Sequence, residues 1–296
     1  MRNIYYFTDI HGQYRLCSAI LDYLLDSDPD CSIIYGGDAC DRGPDGYKIM
    51  LDLLSCPNIG YLKGNHEQMF VYAAREFMRF CAETPERLAM MQSKEPEKIR
   101  FLLDLCERPD VMNYYANDGA STLYWWLING ADRSFVDTID NLPLTFSYNN
   151  LDFCHAGSTY STFMKVAEAE YNGAMPDKND ADALLWDRTE LALGWETGRI
   201  AVFGHTPTLL LPQGIYGRDK KLERIHPCAW YDKMQARDKR GGLKIDMDTG
   251  ATWTGRAFVL NCLTMEVMCF YDEGIPSNKN EGTIEIIEKY QIIDNE

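Results

Sequence analysis

The first part of the sequence contains three short apolar runs, and each of them ends in a cluster of polar residues. They read IYYFTDIHG at residues 4–12, SIIYGGDACDRG at 32–43 and IGYLKGNHE at 59–67. Between these runs, apolar residues recur every three or four positions, which is typical of helices. This alternation predicts an α/β fold that begins with a β-α-β-α-β unit and a parallel sheet. The strands are predicted at Asn3–Phe7, Cys31–Tyr35 and Ile59–Leu62.

The remainder of the chain changes character twice. Helical spacing prevails from residue 68 to about 128, which predicts a helical insertion. From residue 141 onward, short apolar runs predict further strands, the last three of them antiparallel: Leu151–Cys154, Ile200–Phe203, Leu243–Met247, Arg256–Leu260 and Met265–Tyr271. The 296 residues contain no repeat and no low-complexity linker, so one domain over residues 1–296 is expected.

Composition excludes several classes of protein. Hydrophobic residues make up 46% and charged residues 25%, which is the balance of an ordinary globular protein. No run approaches the roughly 18 apolar residues of a membrane span, and the first polar cluster comes too soon for a secretion signal. We therefore expect a cytoplasmic protein. Its net charge of −16 repels nucleic acid and anionic membranes, so neither is expected as a partner.

Four of the five histidines follow predicted strands, each within two residues of a glycine. A single histidine of this kind is more often part of a core, but these four are accompanied by carboxylate and amide side chains. Because such groups would repel one another or stay unpaired at one sheet edge, they indicate a bound cation. Imidazole, carboxylate and amide ligands without cysteine suit Mn, Fe or Zn, and so many groups suit two ions that share a carboxylate. The residues are His11, His66, His155 and His205, with Asp9, Asp38, Asp41 and Asn65.

The clusters also resemble, in order, the motifs of the phosphoprotein-phosphatase branch of the calcineurin-like metallophosphoesterases. The family carries G-D-x-H-G, G-D-x-x-D-R-G and G-N-H-[DE], and this chain has TDIHG at 8–12, GDACDRG at 37–43 and GNHE at 64–67. Later matches are HAG at 155–157, LWDR at 185–188, GHTP at 204–207 and DTG at 248–250. The ordered set is most similar to bacterial Ser/Thr protein phosphatases. It implies an α/β/β/α sandwich of two mixed sheets flanked by helices.

Two positions fit the family pattern less well. Thr8 stands where the family has its first glycine, a residue that is not a metal ligand. The segment Asn117–Gly119, with Thr122, faintly resembles an N-G-G…T element of the bacterial members, and a plain turn at a helix end is the simpler interpretation.

The resemblance implies a role for each site residue. Asp9 and His11 would hold a first divalent ion, Asp38 would bridge two ions, and the second ion would be held by Asn65, His155 and His205. Manganese is the expected metal, with iron or zinc as alternatives. Arg42 and Arg188 would bind phosphate oxygens, with Asn65 also at the substrate. His66 would be the general acid, oriented by Asp41, whereas Glu67 is expected to support the helix start or the site rather than to catalyse.

The implied activity is hydrolysis of phosphomonoesters by a hydroxide that bridges the two metal ions, as in a serine/threonine protein phosphatase. The substrate would be a phosphoprotein or a phosphorylated small molecule. A hydrolase of dinucleoside polyphosphates or other nucleotides is the alternative, because related enzymes share the metal core. A non-catalytic binding module is disfavoured, since every ligand, both arginines and the His66–Asp41 pair are present.

One segment departs from the acidic character of the chain. Residues 216–240 contain eight basic and four acidic residues, a net charge of +4 in a chain of −16. The segment follows the His205 motif, so it could guide anionic substrates to the site, or it could be a solvated loop.

Overall fold

The computed structural model describes residues 2–189, 195–211, 226–231, 242–276 and 283–292. In these ranges the strands are β1 (Ile4–Phe7), β2 (Ser32–Tyr35), β3 (Ile59–Tyr61), β4 (Thr145–Tyr148), β5 (Leu151–Cys154), β6 (Ile200–Phe203), β7 (Cys228–Tyr231), β8 (Leu243–Asp246), β9 (Arg256–Asn261), β10 (Glu266–Asp272) and β11 (Ile284–Gln291). The helices are α1 (Tyr14–Ser27), α2 (Gly46–Ser55), α3 (Asn65–Ala82), α4 (Pro85–Ser93), α5 (Pro96–Leu105), α6 (Pro109–Ala116), α7 (Ala120–Ile128), α8 (Arg133–Asp140), α9 (Tyr160–Tyr171), α10 (Lys178–Trp186) and the single turn α11 (Ala251–Thr254).

The first sheet has six strands in the order β11-β10-β9-β1-β2-β3. Strands β1, β2 and β3 are parallel, as the β-α-β-α-β pattern predicts, because α1 and α2 supply the crossovers. Strands β9, β10 and β11 pair antiparallel to their neighbours and extend the sheet on its other side. The polar clusters after the three parallel strands therefore lie at one edge, which confirms that prediction.

The second sheet has five strands in the order β4-β5-β6-β8-β7. Its central strands β5, β6 and β8 are parallel, and β8 also pairs antiparallel with β7, so the antiparallel prediction for residues 243–247 is confirmed for one neighbour and wrong for the other. The chain between β6 and β8 is long enough to return to the start of the sheet before β8 begins, as a parallel pair requires. Register pairs Phe203 with Asp246, so the residues after β6 and β8 emerge side by side.

The two sheets pack face to face, and helices cover both outer faces. Tyr6 of β1 and Phe153 of β5 stack across the interface with ring centroids 5.6 Å apart, within a buried apolar layer. Helices α1 and α2 and the insertion pack on the first sheet, and α9 and α10 pack on the second. This is the α/β/β/α sandwich that the resemblance implies. Successive residues of β1 point to opposite faces, so Tyr5 and Phe7 join the core under the helices and Ile4 and Tyr6 join the core between the sheets.

The helical region is longer than predicted. It runs through six helices from Asn65 to Asp140, whereas the sequence pattern ended at about 128. Helix α8 was not predicted because it has only eight residues. Its buried face consists of Phe135, Val136 and Ile139, which are too few to show a helical period. Helix α4 is capped by Thr84, whose hydroxyl accepts a hydrogen bond from the backbone N–H of Arg87 at 3.2 Å.

The cysteines lie mostly inside the fold. Nine of the ten are buried, as expected for thiols that serve as small apolar residues. Burial raises the pKa of the Cys154 thiol to about 12, so it stays protonated at neutral pH. No described helix combines the length and apolar composition that a membrane span requires.

Candidate metal centre

Buried histidines and carboxylates from both sheets meet at the edge where β1, β2, β5 and β6 end. Potential ligand atoms lie within 4.8 Å of one another in two groups, and every residue of both groups is buried. The first group is His11, Asp38 and His66, and the second is Asp38, His155 and His205. The structure therefore brings together all four histidines that the sequence singled out, with Asp38 common to both groups.

The backbone at this edge adopts an unusual conformation. Of the eleven described residues other than glycine with positive φ, six belong to the candidate site. Each such residue costs on the order of 1–3 kcal/mol and persists only where surrounding contacts hold it, which is why these conformations cluster at functional sites. The six are Asp9 (φ 56°), His11 (45°), Asp38 (59°), Asp41 (69°), Arg42 (59°) and His205 (68°).

Two glycines allow the ligands to approach the backbone. A Cβ atom at Gly64 would lie 2.2 Å from Asp38 Oδ1, and one at Gly204 would lie 2.1 Å from Asp9 Oδ2. Any side chain at these positions would displace the carboxylates. The glycines in the GNHE and GHTP motifs are thus required by close packing.

His11 is oriented as a metal ligand. Its Nδ1 donates a hydrogen bond to the carbonyl oxygen of Cys40 at 2.9 Å, so Nε2 carries the lone pair. That Nε2 lies 3.5 Å from Asp38 Oδ2 and 3.9 Å from Asp9 Oδ1. Burial and the nearby His66 lower the pKa of His11, which keeps its ring neutral.

The second group has the same arrangement around Asn65. His155 Nδ1 donates to the carbonyl oxygen of Gly36 at 2.8 Å, and its Nε2 lies 2.9 Å from Asn65 Oδ1. His205 Nδ1 lies 2.9 Å from the same amide oxygen. Hydrogen bonds from the remote imidazole nitrogen to a backbone carbonyl are the usual support of metal-bound histidine.

Asp38 connects the two groups. One of its carboxylate oxygens, Oδ1, lies 3.3 Å from His155 Nε2, and the other lies 3.5 Å from His11 Nε2. Although burial lowers the pKa of His155, the charges of Asp38 and Asp9 outweigh it and raise that pKa to about 10. The negative charges of Asp38 and Asp9 also attract a metal cation. The donor set therefore fits two divalent ions that share Asp38.

His66 forms a pair with Asp41. Its Nδ1 lies 2.7 Å from Asp41 Oδ2, and its Nε2 lies 3.8 Å from Asp38 Oδ2. Burial opposes the charged form, but Asp38 and the hydrogen bond to Asp41 prevail, so the pKa of His66 is raised. Since Nδ1 is committed to Asp41, only Nε2 faces the cluster.

The two predicted arginines lie at opposite ends of the cluster. The guanidinium of Arg42 lies 2.8 Å from His11 Nε2 and 3.2 Å from His66 Nε2. The guanidinium of Arg188 donates from Nε to His205 Nε2 at 3.1 Å and from Nη2 to the carbonyl oxygen of the same residue at 3.3 Å. A phosphate above the shared carboxylate would therefore have a guanidinium on each side.

Glu67 supports the loop that carries Asp38. The carboxylate is fully buried, and its Oε2 accepts hydrogen bonds from the backbone N–H groups of Asp38 and Gly64, both at 2.8 Å. Oε1 accepts from the N–H of Ala39 and the hydroxyl of Tyr61, also at 2.8 Å. These contacts tie the Asp38 loop to the start of α3, which is the supporting role expected from the sequence.

The insertion contributes contacts that the sequence analysis signalled only faintly. Thr122 Oγ1 accepts from the backbone N–H of Asp41 at 3.3 Å, and the carbonyl of Asp118 accepts from that of Arg42 at 3.3 Å. The buried Tyr114 ring packs on Gly119, and the charge of Asp41 acts on its hydroxyl. The segment is both a turn between two helices and the support of the Asp41–Arg42 loop.

Two buried carboxylates at the end of β8 and just after it were not assigned a role from the sequence. Asp246 and Asp248 lie beside Asp9, and Asp246 Oδ1 accepts from the N–H of Asp248 at 3.0 Å. Burial raises the pKa of Asp248 to about 6, although its Oδ1 accepts a hydrogen bond from Gly250. The DTG motif was the available signal.

All eight basic residues of segment 216–240 lie outside the described residues.

Comparisons with known proteins identify a family for this chain. The family model for calcineurin-like phosphoesterases matches residues 2–229, and no protein of curated function matches the sequence. A metallophosphoesterase from Sphaerobacter thermophilus is 13% identical, with a TM-score of 0.45 and coverage of 97% of this chain and 88% of that one. A cold-active protein-tyrosine phosphatase of a psychrophilic Shewanella species is 16% identical, with a TM-score of 0.44 and coverage of 97% of this chain and 81% of that one. A protein serine/threonine phosphatase from Saccharomyces cerevisiae is 14% identical, with a TM-score of 0.40 and coverage of 100% of this chain and 81% of that one.

The chain therefore belongs to the calcineurin-like phosphoesterase family, since the family model covers most of its length. Members are hydrolases that use a dinuclear metal centre, and the two ligand groups around Asp38 match that requirement.

Proposed function

We propose that this chain is a metal-dependent phosphomonoester hydrolase that acts on phosphorylated serine or threonine in proteins. The observation that carries the proposal is the His66–Asp41 pair, 2.7 Å apart, at the rim of the candidate metal centre. An alkoxide is a poor leaving group, so its departure needs a proton donor, and a histidine with a raised pKa beside the phosphate can supply one.

The proposed metal ligands are the residues that the structure gathers around Asp38. Asp9 and His11 would hold one ion, Asp38 would be shared, and the other ion would be held by Asn65, His155 and His205. Manganese is the proposed metal, with iron or zinc as alternatives. When bound, the two cations supply the Lewis acidity that activates water and the phosphoryl group.

The remaining residues act on the substrate directly. Arg42 and Arg188 bind the phosphoryl oxygens from opposite sides, with the Asn65 amide between them. His66 gives its Nε2 proton to the leaving oxygen, and Asp41 holds the ring and stabilises the imidazolium before transfer. The reaction uses no covalent intermediate on a side chain. We further propose a cytoplasmic location and no nucleic acid or membrane partner, in line with the net charge of −16.

A second candidate is hydrolysis of dinucleoside polyphosphates or other nucleotides. It is favoured by a cavity of about 520 Å³ beside Arg42, a volume that accommodates a nucleoside. The cavity is lined by the loops that precede α1 and α2 and by residues next to β10.

A panel of four substrates with Mn²⁺ distinguishes the two candidates. It comprises a phosphoserine peptide, p-nitrophenyl phosphate, bis(p-nitrophenyl) phosphate and diadenosine tetraphosphate. The proposal predicts the highest kcat/KM for the monoesters, near-total loss in Asp38→Asn, and loss on chelation. Preference for diadenosine tetraphosphate by tenfold or more would favour the second candidate, and full activity after exhaustive chelation would exclude both.

A further inference from the structure

Thr8 is the position at which the chain departs from the family motif, and its side chain contacts a proposed metal ligand. It follows β1 and is 6% exposed. Its hydroxyl donates to Asp9 Oδ2 at 2.6 Å, whereas the carbonyl oxygen of Gly37 lies at 3.4 Å. A hydroxyl has one proton to donate, and the shorter contact receives it. A glycine at this position could make no such bond.

The oxygen that Thr8 contacts is enclosed by protein on its other sides. The backbone N–H of His205 donates to Asp9 Oδ2 at 3.1 Å, and Gly204 packs so closely that a Cβ atom there would lie 2.1 Å away. The other oxygen, Oδ1, faces His11 Nε2 at 3.9 Å. The His205 N–H also lies 3.3 Å from Oδ1, which is the longer of its two contacts. Oδ2 is therefore the more closely held oxygen, and Oδ1 is turned toward the candidate metal centre.

We infer that Thr8 is a positioning residue that holds Asp9 as a one-oxygen ligand and so strengthens the metal site formed by Asp9 and His11. This inference rests on the proposed two-metal function. Rotation of the Asp9 side chain would turn Oδ1 away from the ion, and the Thr8 hydroxyl resists that rotation from Oδ2. Partners of this kind change metal affinity by roughly 10- to 100-fold. The glycine of the family motif would leave Oδ2 with the His205 N–H alone.

The test is calorimetric titration of the metal-stripped full chain with Mn²⁺. Thr8→Val keeps the shape and removes the hydroxyl, Thr8→Ser keeps the hydroxyl, and Thr8→Gly restores the family residue. Thr206→Val is the matched control, because this buried threonine adjoins His205 but its hydroxyl contacts no ligand in the described part of the chain. Urea unfolding of each metal-free variant reports on stability.

We expect two binding events in the parent chain. Thr8→Val and Thr8→Gly should weaken one event by about 10- to 100-fold and leave the other unchanged, while Thr8→Ser and Thr206→Val bind as the parent does. The inference would be overturned if Thr8→Val bound Mn²⁺ in both events with the affinity of the parent. It would also be overturned if both binding events were weakened equally and the metal-free variant were less stable than the parent. A parent that binds no Mn²⁺, Fe²⁺ or Zn²⁺ would instead refute the proposed function.

Discussion

Glu67 is fully buried and accepts five hydrogen bonds, so the cost of altering it can be worked out from its donors. Three donors are backbone N–H groups, of Asp38, Ala39 and Gly64, the fourth is the Tyr61 hydroxyl, and the fifth is the weakly donating Cys40 thiol at 3.8 Å. Each carboxylate oxygen receives two of the N–H and O–H donors, and Oε1 also receives the thiol. Glu67→Gln keeps the size of the side chain but replaces one acceptor with an NH₂ group, which must face at least two former donors.

The two orientations of the new amide are not equivalent. At the Oε2 position the NH₂ group would oppose two backbone N–H groups, of Asp38 and Gly64. At the Oε1 position it opposes only the Ala39 N–H, because the Tyr61 hydroxyl and the Cys40 thiol can rotate and accept. The second orientation therefore prevails, and one buried N–H loses its partner. Leaving such a donor unpaired costs about 1–3 kcal/mol of the free energy of unfolding.

The measurement is urea unfolding of the metal-stripped protein, because bound metal would add its own linkage to stability. Glu83→Gln is the control. Glu83 follows the same helix, has 44% of its side chain exposed and pairs with Arg87 and Arg108, so its loss should cost at most about 1 kcal/mol. Equal stability losses for the two variants would refute the argument. Tyr61→Phe should cost more stability in the Glu67→Gln variant than in the parent chain, because the new NH₂ group then loses the Tyr61 hydroxyl as its acceptor.

Three further predictions follow from the site and its surroundings. His66→Asn should lower kcat for a phosphoserine peptide by ~10²–10⁴-fold and for p-nitrophenyl phosphate by much less; equal losses would assign His66 to metal or phosphate binding. Tyr114→Phe, which removes the hydroxyl beside Asp41, should lower kcat for the peptide severalfold but have no added effect in Asp41→Asn; additive losses would contradict a role through Asp41. Burial raises the pKa of Asp140, but Lys63 and Arg75 outweigh burial and hold that pKa below its usual value. The Asp140 carboxylate therefore stabilises the fold above about pH 4, and this stabilisation is lost at lower pH. Asp140→Asn should therefore lose up to about 1 kcal/mol at neutral pH and nothing near pH 2 in urea unfolding; a pH-independent loss would contradict this.

The local sequence determined the fold class and most of the candidate site. Each of the first three strands is a continuous apolar run of a few residues, and each is followed at once by polar residues that a parallel sheet must bring to one edge. Because a short apolar run that ends at a glycine-containing turn has few alternative structures, the strand positions agree with the sequence to within a residue or two. The histidines His11, His66, His155 and His205 could be selected for the same reason.

Other features depend on contacts between residues far apart in the chain. The direction of β8 could not be predicted, because parallel and antiparallel strands share the same side-chain alternation and only the neighbouring strand decides. Strand β11 alternates half-buried and exposed residues, and it was missed because it lies at the edge of its sheet with one neighbour. Helix α8 has too few residues to show a period.

Within the site, the sequence determined which side chains are present, whereas the tertiary structure decided what each atom faces. A motif places Thr8 next to Asp9, but Gly204 and the His205 N–H, about 200 positions away, pack against Asp9 and leave Oδ1 as the less closely held oxygen. The support of Asp41 and Arg42 by Thr122 and Asp118 is likewise a contact between the insertion and the sheet edge. The physical reason is that a hydrogen bond depends on distance and direction in space, and sequence separation specifies neither once the chain has turned back on itself.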